Sequence, residues 1–419
     1  MIKISSPHIE EKNGWAYMIS HVLDTVQNID EDIYYSVKQE YGKYLAYEVS
    51  DAFVVGCLLP AALYGEDIVV EGVMSEKLHY NLSHTISYLL ANIFKKEKIK
   101  IHVNNLTCKS YGAAGVGCGC SLGVDSFSAM LQHIENVSSD KRYTNRLMNK
   151  SYAISHLTYF NVGAMGYMDL AKAKESYEKD LKMVQEFAKE VDLPVLCLES
   201  NFSILYKDFD FDASGDIRNF SAVLALQKLF GKYLYGSGYP VTNFKFDKNQ
   251  TGYYEFLLAP LISTESTEIV IADPDMTRIE KTKFIADNHL AQKYLYVCWK
   301  ELIANRWPNG EIARIKDDHL NCSRCDKCKR TLLAIDLLGK LDKFEAIFDI
   351  PYWKKVKDSY IAKVISNKDD NAFYKDLVFL MKEVGYTPSD GVKKELRKIK
   401  IRKSIPYRVV AKIKRVIIH

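Results

Sequence analysis

Ser121-Leu122-Gly123-Val124-Asp125-Ser126 is the segment of this 419-residue sequence with the densest set of residues suited to binding a phosphate. It lies between an apolar run, Val116–Cys120, that reads as a strand, and a helical pattern that starts at Ser126. A turn at that place leaves the first N–H groups of the helix facing the strand ends. With the positive end of the helix dipole, those donors form an anion site. Gly123 lets a phosphate approach the backbone and permits positive φ. Ser121 and Ser126 add hydroxyl donors. Asp125 would repel a bare phosphate, so the expected ligand is a magnesium–pyrophosphate unit, with the carboxylate near Mg2+ or its waters. The simpler alternative is that Asp125 or Ser126 only caps a helix. A Walker loop is excluded because no Gly-Lys-Ser/Thr is present, and the dinucleotide pattern lacks its third glycine spacing.

Cys322, Cys325 and Cys328 place three thiols within seven residues. A closed tetrahedral Zn2+ site needs a fourth ligand. Cys298 is the first candidate and His319 its rival. A reduced cluster, or a redox pair of Cys325 and Cys328, is the alternative. Arg324, Lys327, Lys329 and Arg330 surround the cluster, and their positive field favours thiolates and hence metal. Four thiolates leave no open coordination position, so the zinc expected here is structural.

Three further groups sit where a strand-end crevice would lie. Asn161-Val162-Gly163 and Gly236-Ser237-Gly238 end the second and fourth expected strands, although glycines at strand ends often only make turns. Arg218, near the start of a helix, could recognise a carboxylate or phosphate bidentately; its plainer role is pairing with a nearby acid such as Asp216. Lys281 is a comparable candidate.

The loop resembles the signature of the N-type ATP pyrophosphatase superfamily (PP-loop, adenine nucleotide alpha-hydrolase-like), Ser-Gly-Gly-x-Asp-Ser, and departs from it at Leu122. Leucine is expected to lie there with negative φ. With the cysteine spacing, the Arg218-Asn219 pair and the segment Thr277–Lys281, residues 115 to 332 resemble 7-cyano-7-deazaguanine synthase-like proteins. The tyrosine-proline-aspartate-cysteine segment of those enzymes is kept only in part, as Tyr239-Pro240-Val241. The resemblance implies ATP and Mg2+ held by Ser121, Gly123, Val124, Asp125 and Ser126. It also implies adenine contacts from Asn161 and Gly163, crevice contacts from Gly236, Ser237 and Gly238, and charge stabilisation by Asp125, Arg218 and Lys281. Zn2+ would be held by Cys298, Cys322, Cys325 and Cys328. The implied function is an AMP- and pyrophosphate-forming ligase. It adenylates a small-molecule carboxylate or amide for displacement by ammonia, an amine or a sulfur donor. The alternatives are a thiolase-like tRNA-modifying enzyme and an inactive, zinc-bound nucleotide-binding scaffold.

These residues need elements to hold them. Val116–Cys120, Ala153–Phe160, Pro194–Leu198, Tyr233–Tyr235 and Tyr294–Cys298 read as five strands separated by helical patterns. That alternation predicts an α/β fold, a parallel five-stranded sheet with helices on both faces, which the resemblance narrows to the HUP/PP-loop type. Residues 1–105 read as a separate N-terminal α+β domain, with strands at Ala52–Leu59 and Ile68–Val73 and a helix over Ser83–Phe94. The resemblance implies that residues 106–335 form a PP-loop ATP pyrophosphatase domain with the four-cysteine zinc site, and 336–419 are expected to form a helical extension with the basic amphipathic tail.

Hydrophobic residues at 47% and charged residues at 26% suit a soluble globular protein. The start has no basic-then-apolar leader pattern, and the cysteines cluster, so a cytoplasmic location is expected. The net charge of +4 divides into −6 over residues 1–392 and +10 over 393–419, where eleven Lys and Arg face one acid. Ile405, Val409, Ile413, Val416 and Ile417 give the tail a helical apolar stripe between basic residues. The stripe either packs on the body or lies on an anionic membrane surface, making the protein peripheral to the membrane. The acidic body does not favour nucleic acid as a partner.

Overall fold

A computed structural model describes residues 1–134, 150–164, 170–299 and 319–404. The tail stripe from Ile405 to Ile417 lies outside the described residues. Two compact units form, Met1–Met276 and Thr277–His419.

The first unit is built on one mixed sheet of eleven strands. Its second half holds β7 (Gly115–Gly119), β8 (His156–Asn161), β9 (Val195–Ser200), β10 (Phe230–Tyr235) and β11 (Glu268–Ile271). These run parallel in the order β11-β10-β7-β8-β9. The α/β class is as expected, but the five parallel strands are a run within the larger mixed sheet and not a sheet of their own. The expected fifth strand is corrected as well: Glu268–Ile271 takes that place, and residues 295–299 are not in a strand. Four residues are too few to show a period, which is why this strand was not legible.

The sheet does not stop at β9. It continues through β4 (Ile29–Lys38), β3 (Trp15–Asp24), β1 (Ile2–Ile4), β5 (Ile68–Ser75) and β6 (Ile101–Thr107), with β2 (His8–Lys12) on β3. The N-terminal strands thus extend the same sheet, and no separate α+β fold forms there. The seam is an antiparallel pairing of Tyr35 with Ser200 and Ser36 with Glu199. Asn201 secures it, accepting from Tyr34 N–H at 2.9 Å and donating to Asp32 O at 2.8 Å. β3 alternates between buried and more exposed positions, as a strand with two unlike faces should.

Ala52–Leu59 is a second correction. It lies in the helix Asp51–Tyr64, of which Asp51 to Ala62 are all buried. A helix buried all round has no polar face, so its apolar run carries no period to separate it from a strand. Pro60 sits inside this helix and lacks the N–H that would bond Gly56 O. Tyr206 O–H supplies the missing donor at 2.6 Å. Phe53 stands beside Tyr35 and Phe202, with ring centroids 5.2 and 6.2 Å away, so helix, β4 and the segment after β9 share one core.

The second unit is helical; the helical C-terminal region expected over 336–419 begins earlier, at Thr277, so that Lys281 and the four clustered cysteines fall in it. Its helices are Arg278–Ile285, His289–Tyr294, Asp326–Leu337, Ile350–Ser366, Ala372–Glu383 and Asp390–Lys403. Thr277 and Glu280 form a reciprocal capping box on the first. Buried Trp353 donates to Asp336 Oδ2 at 2.9 Å, tying two of the longer helices. No described helix is long and apolar enough to cross a membrane.

Candidate functional site

The loop Ser121–Ser126 follows β7, the strand between β10 and β8. Chain order therefore reverses at β7, and the loops after β7 and β10 flank the point where ligands bind in such sheets. The helix Val124–Leu131 begins within the loop, and Phe127 N–H to Gly123 O, at 2.9 Å, is an early bond of it. Val124, Asp125 and Ser126 thus contribute the first-turn N–H groups. Ser121 Oγ donates to Ser126 Oγ, and Ser126 Oγ to Gly123 O, both at 3.1 Å.

The loop's backbone differs from expectation at one residue. Leu122 has φ +55°, in the left-handed region, while Gly123 is extended at φ −77° and ψ 170°. The positive φ falls on the leucine, where the Ser-Gly-Gly-x-Asp-Ser signature that the loop resembles has glycine. Leu122 is fully buried, so its side chain is enclosed and the strained backbone held.

Gly236 ends the run from β10 against this loop. A Cβ there would stand 2.7 Å from Asp125 O, so only glycine permits the approach. Ser237 is buried and held by Asp273: its N–H donates to Oδ1 at 3.1 Å and its Oγ to the carbonyl at 2.9 Å. Gly238 N–H donates to Glu255 Oε1 at 2.6 Å. Asp273 and Glu255, both buried, were not singled out from sequence; isolated acids outside any motif give no signal.

Arg218 and Gly163 come together. Arg218 is 2% exposed, donates from Nη1 to Val162 O at 3.0 Å, and stacks on Tyr206 with its guanidinium carbon 4.1 Å from the ring centroid. Gly163 has φ +106°, and a Cβ on it would run into the guanidinium. Asn161 donates from Nδ2 to Glu199 Oε2 at 3.4 Å. Asn219 turns back on its own helix, donating to Gly215 O at 2.8 Å. Asp216, the acid expected beside Arg218, accepts from Tyr235 O–H at 2.8 Å and from Thr251 O–H. Burial raises its pKa. The thiols near the strand ends are unreactive by environment: burial pushes Cys197 up to about 11 and Cys120 well above its usual range. Lys281 lies in the second unit, buried on the helix Arg278–Ile285.

The second unit also brings Cys298, Cys322, Cys325 and Cys328 together, with all four sulfurs within 4.8 Å of one another. The group can hold a metal ion such as zinc, and its dimensions suit one. Zn–S bonds of about 2.3 Å in a tetrahedron separate the sulfurs by about 3.8 Å, and Cys322 and Cys328 stand 3.9 Å apart. Backbone N–H groups of Cys322, Cys325 and Cys328 point at the sulfurs of Cys298, Cys322 and Cys325, at 3.3 to 3.4 Å. Cys325 also caps the helix Asp326–Leu337, whose dipole favours a thiolate. Hydrogen bonding to Cys298 holds the Cys325 thiol far below its usual range, while hydrogen bonding to Cys322 pushes Cys298 up. His319 is not in the sulfur group.

Asn321 positions the cluster, and sequence reading missed it. Fully buried, it accepts from Val297 N–H and donates to Leu295 O, both at 2.8 Å. Its neighbour in sequence is Cys322, so one carboxamide ties the segment bearing Cys298 to the knuckle. A lone asparagine gives no pattern to detect. Ser323, at φ +56°, makes the tight turn that lets successive N–H groups converge on sulfur.

Comparison with family models, curated proteins and solved structures finds no match to this chain.

Proposed function

We propose that this protein is an ATP pyrophosphatase of the PP-loop (HUP) type, which adenylates a small-molecule carboxylate or amide and passes it to ammonia, an amine or a sulfur donor. One observation carries the reading: a Ser-x-Gly-x-Asp-Ser loop opens a helix at the chain-order reversal of the parallel sheet, with Gly236 pressed against its backbone. The first-turn N–H groups and Ser121 and Ser126 would hold pyrophosphate oxygens, and Asp125 would hold Mg2+ or its waters, which would neutralise charge on the leaving pyrophosphate. A substrate oxygen attacks the α-phosphorus, the bond to the β-phosphate oxygen breaks, and pyrophosphate leaves. The donor nitrogen or sulfur then displaces AMP. The protein contributes positioning and charge stabilisation.

Arg218 serves this reaction as a positioning residue. Enclosed beneath the Asn161–Gly163 turn, it holds the backbone that faces the adenine. Zinc on the four cysteines is structural, since a closed set of thiolates offers substrate no coordination position.

Pyrophosphate release, screened across carboxylates and amides with ammonia, amines and sulfide, tests the proposal. Asp125→Asn and Ser126→Ala should each lower release at least a hundredfold, the usual effect of losing one transition-state contact, with unchanged thermal unfolding. Turnover of both variants at the wild-type rate would remove the ATP site from this loop. Absence of ATP binding by the wild type would leave the scaffold reading.

A further inference from the structure

The helix Asp390–Lys403 carries seven Lys and Arg against Asp390 and Glu395. One stripe of it faces inward: Val392 is fully buried, and Leu396 and Ile399 are half-buried where the helix packs on Ile350–Ser366. The opposite face is cationic. Lys393 and Lys398 pair with acids of the same helix, but both pairs are exposed and so contribute little. The side chains of Lys394, Arg397, Lys400 and Arg402 make no ion pair among the described residues; Lys394 and Arg397 lie on this face, and Lys400 and Arg402 flank it, about 100° to either side of Ile401. Ile401 sits on this face, 60% exposed, three, four and seven residues beyond Lys398, Arg397 and Lys394. That spacing puts all four side chains on one side of the helix.

We propose that this face docks the protein on an anionic lipid membrane surface, with Ile401 entering the headgroup region. The charge pattern supplies the attraction. Four cations without acidic partners lose little on meeting lipid headgroups, and each gains from the surface potential. The exposed isoleucine distinguishes the partner. Single-stranded nucleic acid is gripped by aromatic side chains stacking on bases, and residues 390–403 contain no aromatic residue. Beyond it, residues 404–419 hold seven Ile and Val, four Lys and Arg, a single Phe, Tyr or Trp ring, Tyr407, and no acid. Apolar burial and basic attraction together are what interfacial binding requires. The inference does not depend on the ATP chemistry.

Cosedimentation of the full-length protein with vesicles tests it. The protein should bind phosphatidylcholine–phosphatidylserine vesicles at low salt, be released as salt rises, and ignore pure phosphatidylcholine. The combined variant Lys394→Ala, Arg397→Ala, Lys400→Ala, Arg402→Ala should lower partitioning roughly a hundredfold or more, at about fivefold per cation. Ile401→Ser should lower it severalfold. Both should unfold at the wild-type temperature, since the side chains are exposed. Failure of the wild type to bind at low salt, or wild-type binding by the four-site variant, overturns the proposal. Wild-type partitioning of Ile401→Ser, with vesicles displaced by single-stranded RNA, would make the face a general polyanion site and overturn it equally.

Discussion

Leu122 concentrates two opposed effects in one residue. Its left-handed backbone, at φ +55°, costs an L-residue about 1–2 kcal/mol, which glycine would not incur. Its side chain, fully buried, contributes more: truncating a buried leucine costs about 3–5 kcal/mol. Packing therefore outweighs strain, and Leu122→Gly should destabilise the protein by roughly 1–4 kcal/mol in urea unfolding. Pyrophosphate release should survive, because the N–H groups of Val124 to Ser126 are untouched. A stabilised variant would mean that backbone strain outweighs the packing of the side chain. The departure from the signature was visible in the sequence. Its accommodation was not, because enclosure of a side chain depends on residues remote in the chain.

The cysteine-bearing segments act as an element of their own. The spacing of Cys322, Cys325 and Cys328 predicts a knuckle because two intervening residues allow a tight turn, and the sulfurs indeed converge there with Cys298. Protein purified without added metal should contain about one zinc per chain, lost in Cys325→Ser and Cys328→Ser. Stoichiometric iron would overturn the zinc assignment. Asn321→Ala keeps all four thiols, yet should weaken zinc about 10–100-fold in competition with a chelator, as loss of a supporting contact to a metal site does. His319→Ala should leave zinc affinity unchanged. Wild-type affinity in Asn321→Ala would show that the Cys298 segment is held by other contacts.

At the scale of the whole molecule, pH reports on a buried carboxylate in the first unit. Asp51 accepts from Ser75 N–H at 2.9 Å and from Gln227 Nε2 at 3.0 Å, joining the start of the helix Asp51–Tyr64 to β5 and to the segment before β10. Burial raises its pKa from 3.8 to about 6. The folded protein thus holds this proton more tightly than the unfolded chain. Its contribution is fully present below the unfolded pKa and is lost as pH rises through about 6, amounting to roughly 3 kcal/mol. Asp51→Asn removes that titration; turning the Gln227 amide to accept from the new one gives up the bond it accepts from Thr264 O–H, a loss that does not vary with pH. Relative to wild type, the variant should gain stability by roughly 3 kcal/mol between about pH 4 and pH 8. Parallel stability curves over that range would contradict the buried proton.

What the sequence determined by itself is local. The Ser121–Ser126 motif, the cysteine spacing, the alternation from Val116 to Tyr235 and the basic C-terminal segment are patterns between near neighbours. Periodicity and turn chemistry suffice to read these. Tertiary structure alone decided the rest. It joined the N-terminal strands to β9 through two residue pairs, chose Glu268–Ile271 as the fifth strand and made a helix of the apolar run at Ala52. It also enclosed Arg218 behind Gly163 and set Asn321, Asp273 and Glu255 to hold the candidate sites. Each of these depends on contacts between residues far apart in the chain. A short edge strand, a helix buried on all sides and a lone polar side chain in the core have no period to betray them, so their environment exists only once the chain has folded.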